Sequence, residues 1–316
     1  MHVYDKAYMD IKNRYLVPLT SYSVPYSHLR NTNIKSAIIT KSTSVDKLSD
    51  SEYVFHFDED YLYKALLGDI ELFYIRKIIQ KADSEFCKGD GISANWNIVT
   101  NYYNAFFAAS LMLRLCHRGN IFFDNSIRRQ LEIMVSNITG AVVKLESNQF
   151  YEAYEDNGNY VLKLTKANDG THELVWRKMD TLINEMIMLS RAGSDEKVIL
   201  TAIKQINNTL KNTFPSQLRN RVNYQTAYGL EYIDKKLFQL NENIDWVRYL
   251  IGFTDTKDDN QIACYMFAYT KFIEHFCSNL IAEYYEMKGN ENGILKTVNS
   301  HRTIKIPKDQ SIFVFT

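Results

Sequence analysis

Proline is scarce in this chain, with four in 316 residues, and glycine is little commoner, with 12. Average usage is about 5% and 7%. So few breakers leave room for long uninterrupted helices and point to a mainly helical fold. There are four cysteines, Cys87, Cys116, Cys264 and Cys277, and no CxxC pair. That spacing offers neither a zinc knuckle nor a redox motif, and reduced, buried thiols are the expectation. Charge of either sign is not in excess: 37 basic side chains stand against 37 acidic ones. No global field draws the protein to nucleic acid, so any such binding must be local.

Several chemistries are also missing. No GxxxxGK[ST] or GxGxxG signals a phosphate-cradling loop, and HExxH and GxSxG do not occur. The seven histidines (His2, His28, His56, His117, His172, His275, His301) are scattered, so no metal and no cofactor is expected. His172-Glu173 reads as a helix start with a capping or surface role. The N-terminus lacks a basic n-region, an apolar h-region and a small-residue cleavage site, and no membrane span is evident; a cytoplasmic protein is expected.

What is present is aromatic. With 22 Tyr and 17 Phe in a composition that is 46% hydrophobic, much of the core must be built from rings. The densest stretch is SANWNIVTNYYNAFFAASLMLRLCHRG, residues 93–119. Trp96, Val99, Tyr103, Phe106, Ser110 and Leu113 form one stripe at helical spacing, and Ile98, Tyr102, Phe107, Leu111 and Leu115 cover most of the rest. A helix apolar nearly all round belongs inside a protein. Asn97, Asn101, Asn104 and Arg114 interrupt it too often for a membrane span, and internal hydrogen bonding is the expected role of the three amides. We therefore expect a central buried helix.

Around it, periodicity predicts helices over residues 61–86, 125–147, 171–191, 194–212 and 258–288, a further element over 215–237 with Gly229 as a possible break, and a short apolar piece at 244–253. Ser36–Thr40, Tyr53–Phe57 and residues 160–165 read as short strands, as do TIKI and SIFVF in the tail. The expected architecture is one helical body with small β appendages.

One polar cluster stands out. Leu218-Arg219-Asn220-Arg221-Val222-Asn223-Tyr224 places two arginines, two amides and a phenol within seven residues, with Tyr228 one turn on. An arginine there would hold a phosphate bidentately, and the amides would position ribose or phosphate oxygens. The same residues also suit a capped, exposed helix start, and spacing alone favours that plainer role.

The pairing of W-x5-YYNAFFAASLMLR with a later LRN-x3-Y resembles the HEPN superfamily of prokaryotic helical proteins. There an aromatic-rich helix packs on a helix bearing R-[polar]-x3-H. Many members are metal-independent RNases of toxin–antitoxin and phage-defence systems, and active members dimerise so that two motifs face one cleft. The resemblance spans residues 60–290. It implies a HEPN-type helical bundle at 59–290, preceded by a small α+β cap at 1–58 and followed by a tail at 291–316. It implies a catalytic set of Arg219, Asn220 and Tyr224, with Arg221, Asn223 and Tyr228 on RNA, and Lys235 or Lys236 converging nearby. It implies RNA as substrate, and a homodimer or a subunit of a defence complex.

Tyr224 departs from the pattern, since it stands where the family has histidine. Tyrosine titrates near ~10 against ~6.5 for histidine, and is a poor base at neutral pH. His117 and His275 are the candidates to supply an imidazole in space. Two functions follow: an RNase-like toxin or defence effector, or a catalytically silent subunit binding a partner protein or a nucleotide. An unrelated helical scaffold is a third.

Overall fold

Helix α4, Ala94–Leu115, runs through the middle of the molecule, as its all-round apolar pattern predicts. The computed structural model describes residues 4–86, 94–224 and 245–289. Four further helices enclose α4: α3 (Glu59–Phe86), α6 (Thr171–Leu189), α8 (Phe214–Tyr224) and the longest, α10 (Asp259–Lys288). Ile98, Tyr102, Ala105, Ala108, Ala109, Leu111, Met112, Leu113 and Leu115 are all buried. Shorter helices complete the outside: α1 (Lys6–Ile11), α2 (Ile34–Thr40), α5 (Asn125–Thr139), α7 (Asp195–Leu210) and α9 (Trp246–Ile251). Among the described residues no helix is long and apolar enough to cross a membrane.

Several polar residues on α4 are met from different directions, although Asn95 Oδ1, Asn104 Oδ1 and Ser110 Oγ are buried without a partner among the described residues. Asn101 Nδ2 donates to the Asn97 carbonyl at 3.0 Å, and Asn104 Nδ2 donates to Glu274 Oε1 on α10 at 3.0 Å. Glu274 also meets the fully buried Lys77 of α3 at 3.3 Å. Burial alone would raise the Glu274 carboxyl, but Lys77, Lys81, Lys271 and the Asn104 amide hold it well below the usual range. Near the other end, Arg114 Nε donates to Asp69 at 2.7 Å while its remaining nitrogens reach the Ser110 and Asn120 carbonyls. The Tyr151 hydroxyl donates to the same Asp69 oxygen at 2.9 Å.

The expected mainly helical HEPN bundle with small β appendages is not what forms. A five-stranded antiparallel sheet in the order β1-β2-β5-β4-β3 packs against the helices, giving a mixed α/β architecture. Its strands are β1 (Ser44–Lys47), β2 (Glu52–Phe57), β3 (Arg118–Phe122), β4 (Asn148–Asp156) and β5 (Asn159–Lys166). Only β2 and β5 stand out from their sequence. β4 hides because Phe150 and Tyr151 are both buried, so the alternation that marks a half-exposed strand is lost. β3 directly follows α4 and reads as its end.

Tyr53, Leu164, Tyr151 and Gly119 lie opposite one another across β2, β5, β4 and β3. Gly119 is required there, because a Cβ would come within 2.8 Å of the Tyr151 ring. The boundary expected at 58–59 falls between β2 and α3, yet β2 is hydrogen-bonded to β5 and shares its core. Residues 36–40, expected as a strand, belong to α2, whose start is capped by Asn33 accepting from the Ser36 amide. Cys116, Cys264 and Cys277 are free and buried, whereas Cys87 and the tail segments TIKI and SIFVF lie outside the described residues.

Two stability predictions follow from this packing. Gly68 lies inside α3, where alanine ordinarily gains about 1 kcal/mol. Here a Cβ would collide with the backbone carbonyl of Thr32, which cannot swing aside as a side-chain tip could. Gly68→Ala should therefore lower stability, by about 2 kcal/mol or more in urea unfolding. Glu71 is buried among Leu67, Ile70, Tyr74 and Tyr285, and burial, opposed only by Lys288, pushes its carboxyl up to about 7. Between the unfolded value and 7 the folded chain holds a proton the unfolded chain has lost, so stability falls as pH rises through that window. Glu71→Gln should gain up to about 3 kcal/mol over the parent at pH 8. That advantage should shrink toward pH 5.

Candidate functional site

Helix α8 begins with Phe214-Pro215, a proline in the first turn where its missing N–H costs nothing. Phe214, Pro215, Leu218 and Val222 face inward. Arg219 shares that face and is only 8% exposed. Its guanidinium carbon lies 5.2 Å from the Tyr102 ring centre and 5.7 Å from that of Tyr103, both on α4. Among the described residues no carboxylate pairs with it, and its Nε has no hydrogen-bond partner. An ion held among rings with its charge unanswered is in an expensive position.

Beside it stands His172, in the first turn of α6. Its Nδ1 lies 2.7 Å from the Tyr102 hydroxyl, which is in turn 2.9 Å from Ser216 Oγ on α8. The imidazole packs on Phe106, with ring centres 4.4 Å apart. Burial and then the Arg219 charge lower its pKa to about 4, so it is neutral at neutral pH. If Nδ1–H donates to Tyr102 and Tyr102 to Ser216, Nε2 keeps a lone pair, which is the tautomer a base requires. The Tyr102 hydroxyl is raised by burial, against the Ser216 hydrogen bond and Arg219.

The remaining cluster residues divide. Arg221 is paired with Asp259 at the start of α10 at 2.6 Å. Asn220 and Asn223 are exposed, and Tyr224 is 74% exposed, well round the helix from Arg219. Tyr228, Lys235 and Lys236 lie outside the described residues. Neither of the histidines considered from sequence reaches Arg219. His117 lies beyond the far end of α4, about 20 Å along its axis from Tyr103. His275 packs against Tyr4 and Trp246.

The imidazole that does reach the arginine is His172, which sequence reasoning assigned to capping or surface. It is 47 positions from Arg219 in the chain, and no local spacing links the two. The one local signal for it is its place in a first helical turn, where the dipole disfavours imidazolium.

No family model matches the chain, and neither a curated protein nor a solved structure matches it.

Because burial is the larger cause and Arg219 the smaller, Arg219→Gln should raise the His172 pKa without restoring the ordinary 6.5. NMR titration of the imidazole signals checks this. A pKa unmoved by the substitution would place the two groups farther apart than the structure has them.

Proposed function

We propose that the chain binds RNA with a phosphate at Arg219 and cleaves it without a metal, as an RNase-like toxin or phage-defence effector of the kind the HEPN resemblance implies. The observation that carries this reading is the buried guanidinium of Arg219, without a carboxylate partner among the described residues, beside the neutral imidazole of His172. A phosphate supplies the charge that Arg219 lacks and the acceptors its Nε needs. His172, rather than Tyr224, then provides the imidazole. The ribose 2′-hydroxyl gives its proton to His172 Nε2 while its oxygen bonds to phosphorus. The P–O5′ bond breaks, leaving a 2′,3′-cyclic phosphate, and the imidazolium returns the proton to the departing 5′ oxygen. Arg219 stabilises the charge that builds on the phosphate oxygens.

A pKa near 4 makes the free enzyme's imidazole a weak base. A bound phosphate counters Arg219 and adds negative charge, both of which raise it toward the working range. Asn220, Asn223 and the exposed ring of Tyr224 line the outer flank of α8, where they would meet flanking nucleotides, the tyrosine by stacking. Arg221, already neutralised by Asp259, contributes less. The reading includes a cytoplasmic setting and a homodimer, or assembly into a defence complex, with two copies of α8 facing one cleft. The same low pKa favours a second reading, a silent subunit that binds RNA or a partner without cleaving.

Purified protein incubated with mixed structured and single-stranded RNA in EDTA should produce cleavage. Arg219→Ala and His172→Ala should each reduce it by about 100-fold or more. Tyr224→Ala should weaken binding only several-fold. Cleavage that Arg219→Ala leaves intact would overturn the assignment, and RNA bound but uncut by the folded parent would select the silent reading.

A further inference from the structure

A separate cavity of about 370 Å³ opens where the sheet meets the helices, within the roughly 300–1,000 Å³ range of small-molecule sites. Tyr15 and Tyr63 from the helical side and Tyr160 from β5 contribute aromatic walls, and His117 lies between α4 and β3. The Tyr63 and Tyr160 rings meet edge to face at 5.5 Å, and Tyr15 meets the His117 ring at 5.1 Å.

His117 is the unusual member. Its backbone is left-handed, with φ 56°, at the end of α4, where glycine or asparagine is the ordinary choice. The imidazole is 5% exposed, and one nitrogen bonds the Tyr15 backbone while Nε2 has no partner in the protein. Burial is the chief reason it stays neutral, with its pKa lowered to about 4, so Nε2 offers a lone pair. Several buried side-chain atoms lack a partner among the described residues, and His117 Nε2 is the one that belongs to this cavity's lining.

The charged lining is divided. Arg118 is committed to Glu185 through two hydrogen bonds of 2.9 and 2.8 Å. Arg14 is exposed, stacks on Tyr15, and has no acidic partner among the described residues. Glu155 is exposed on the β4 side, an acceptor without an ion pair among the described residues.

We infer that this cavity binds a nucleoside monophosphate, its base between the Tyr15, Tyr63 and Tyr160 rings with an N–H donated to His117 Nε2, its phosphate on Arg14 and its ribose hydroxyls on Glu155. Aromatic walls suit any planar base, and a lone-pair acceptor selects a ring edge carrying N–H. A free arginine selects the phosphate. The site is distinct from Arg219 and does not rest on RNA cleavage.

Calorimetric titration of the full chain with 5′-AMP, GMP, CMP and UMP, with the matching nucleosides and with inorganic phosphate, tests it. At least one nucleotide should bind with a dissociation constant below about 1 mM. Arg14→Ala, at an exposed position, should weaken that nucleotide about tenfold or more and leave its nucleoside unchanged. His117→Asn, which tolerates the left-handed backbone, should weaken nucleotide and nucleoside alike, and melting curves establish that it folds. If it does not fold, Arg14→Ala decides alone. No binding by any of the four nucleotides up to about 5 mM would overturn the inference. So would nucleotide binding no tighter than that of phosphate, or binding unchanged in Arg14→Ala. Binding lost in Arg219→Ala but kept in Arg14→Ala would place the ligand at the Arg219 site, overturning this inference and not that one.

Discussion

Burial of α4 over most of its length imposes a constraint on everything packed around it: most polar groups the helix carries have to be met from inside the protein. Asn104 takes Glu274 from α10, which in turn takes the buried Lys77 of α3. Arg114 takes Asp69 from α3 and the Asn120 carbonyl from β3. Tyr102 takes His172 from α6 and Ser216 from α8. These three sets of bonds tie four helices and the sheet to one axis. Removing one partner of a buried ion pair is far more damaging than replacing both, so the networks fix how neighbours are arranged more than they add net stability.

The same constraint explains why a site forms at one end of α4. Arg219 enters the core on the inward face of α8, but the rings it meets offer a π surface and no carboxylate. Elsewhere around α4 each buried cation has an acid, Lys77 with Glu274 and Arg114 with Asp69. The contrast sets Arg219 apart within a single structure. His117 Nε2, one of several further buried atoms without a partner among the described residues, sits where α4 hands over to β3 and a left-handed residue turns the chain. Both places are junctions between elements, where packing leaves room and local hydrogen bonding runs out.

Much of the helical frame is legible from periodicity. α3, α4, α6, α7 and α10 all fall where apolar spacing puts them, with Ser194 and Asp258 capping α7 and α10. The sheet is not legible to the same degree. β4 carries no clean alternation, since neighbouring residues in it are buried on both faces, β3 is short and directly continues α4, and the Ile-Ile-Thr run in α2 mimics a strand until its Asn33 cap is recognised. Of the candidate site, Arg219 is visible in the sequence and its imidazole is not.

By itself, then, the sequence determined that α4 is central, that its amides bond internally, and that residues 218–224 gather polar chemistry on one helix. Those outcomes depend on neighbours three and four positions apart, or on a helix having no polar face to offer water. Tertiary structure alone decided that Arg219 turns inward while Asn220, Asn223 and Tyr224 turn outward, and that His172 comes to meet it. It alone closed five strands into one sheet. Those outcomes depend on groups tens of residues apart finding each other, and the free energy of such meetings comes from burial and pairing that no local spacing records.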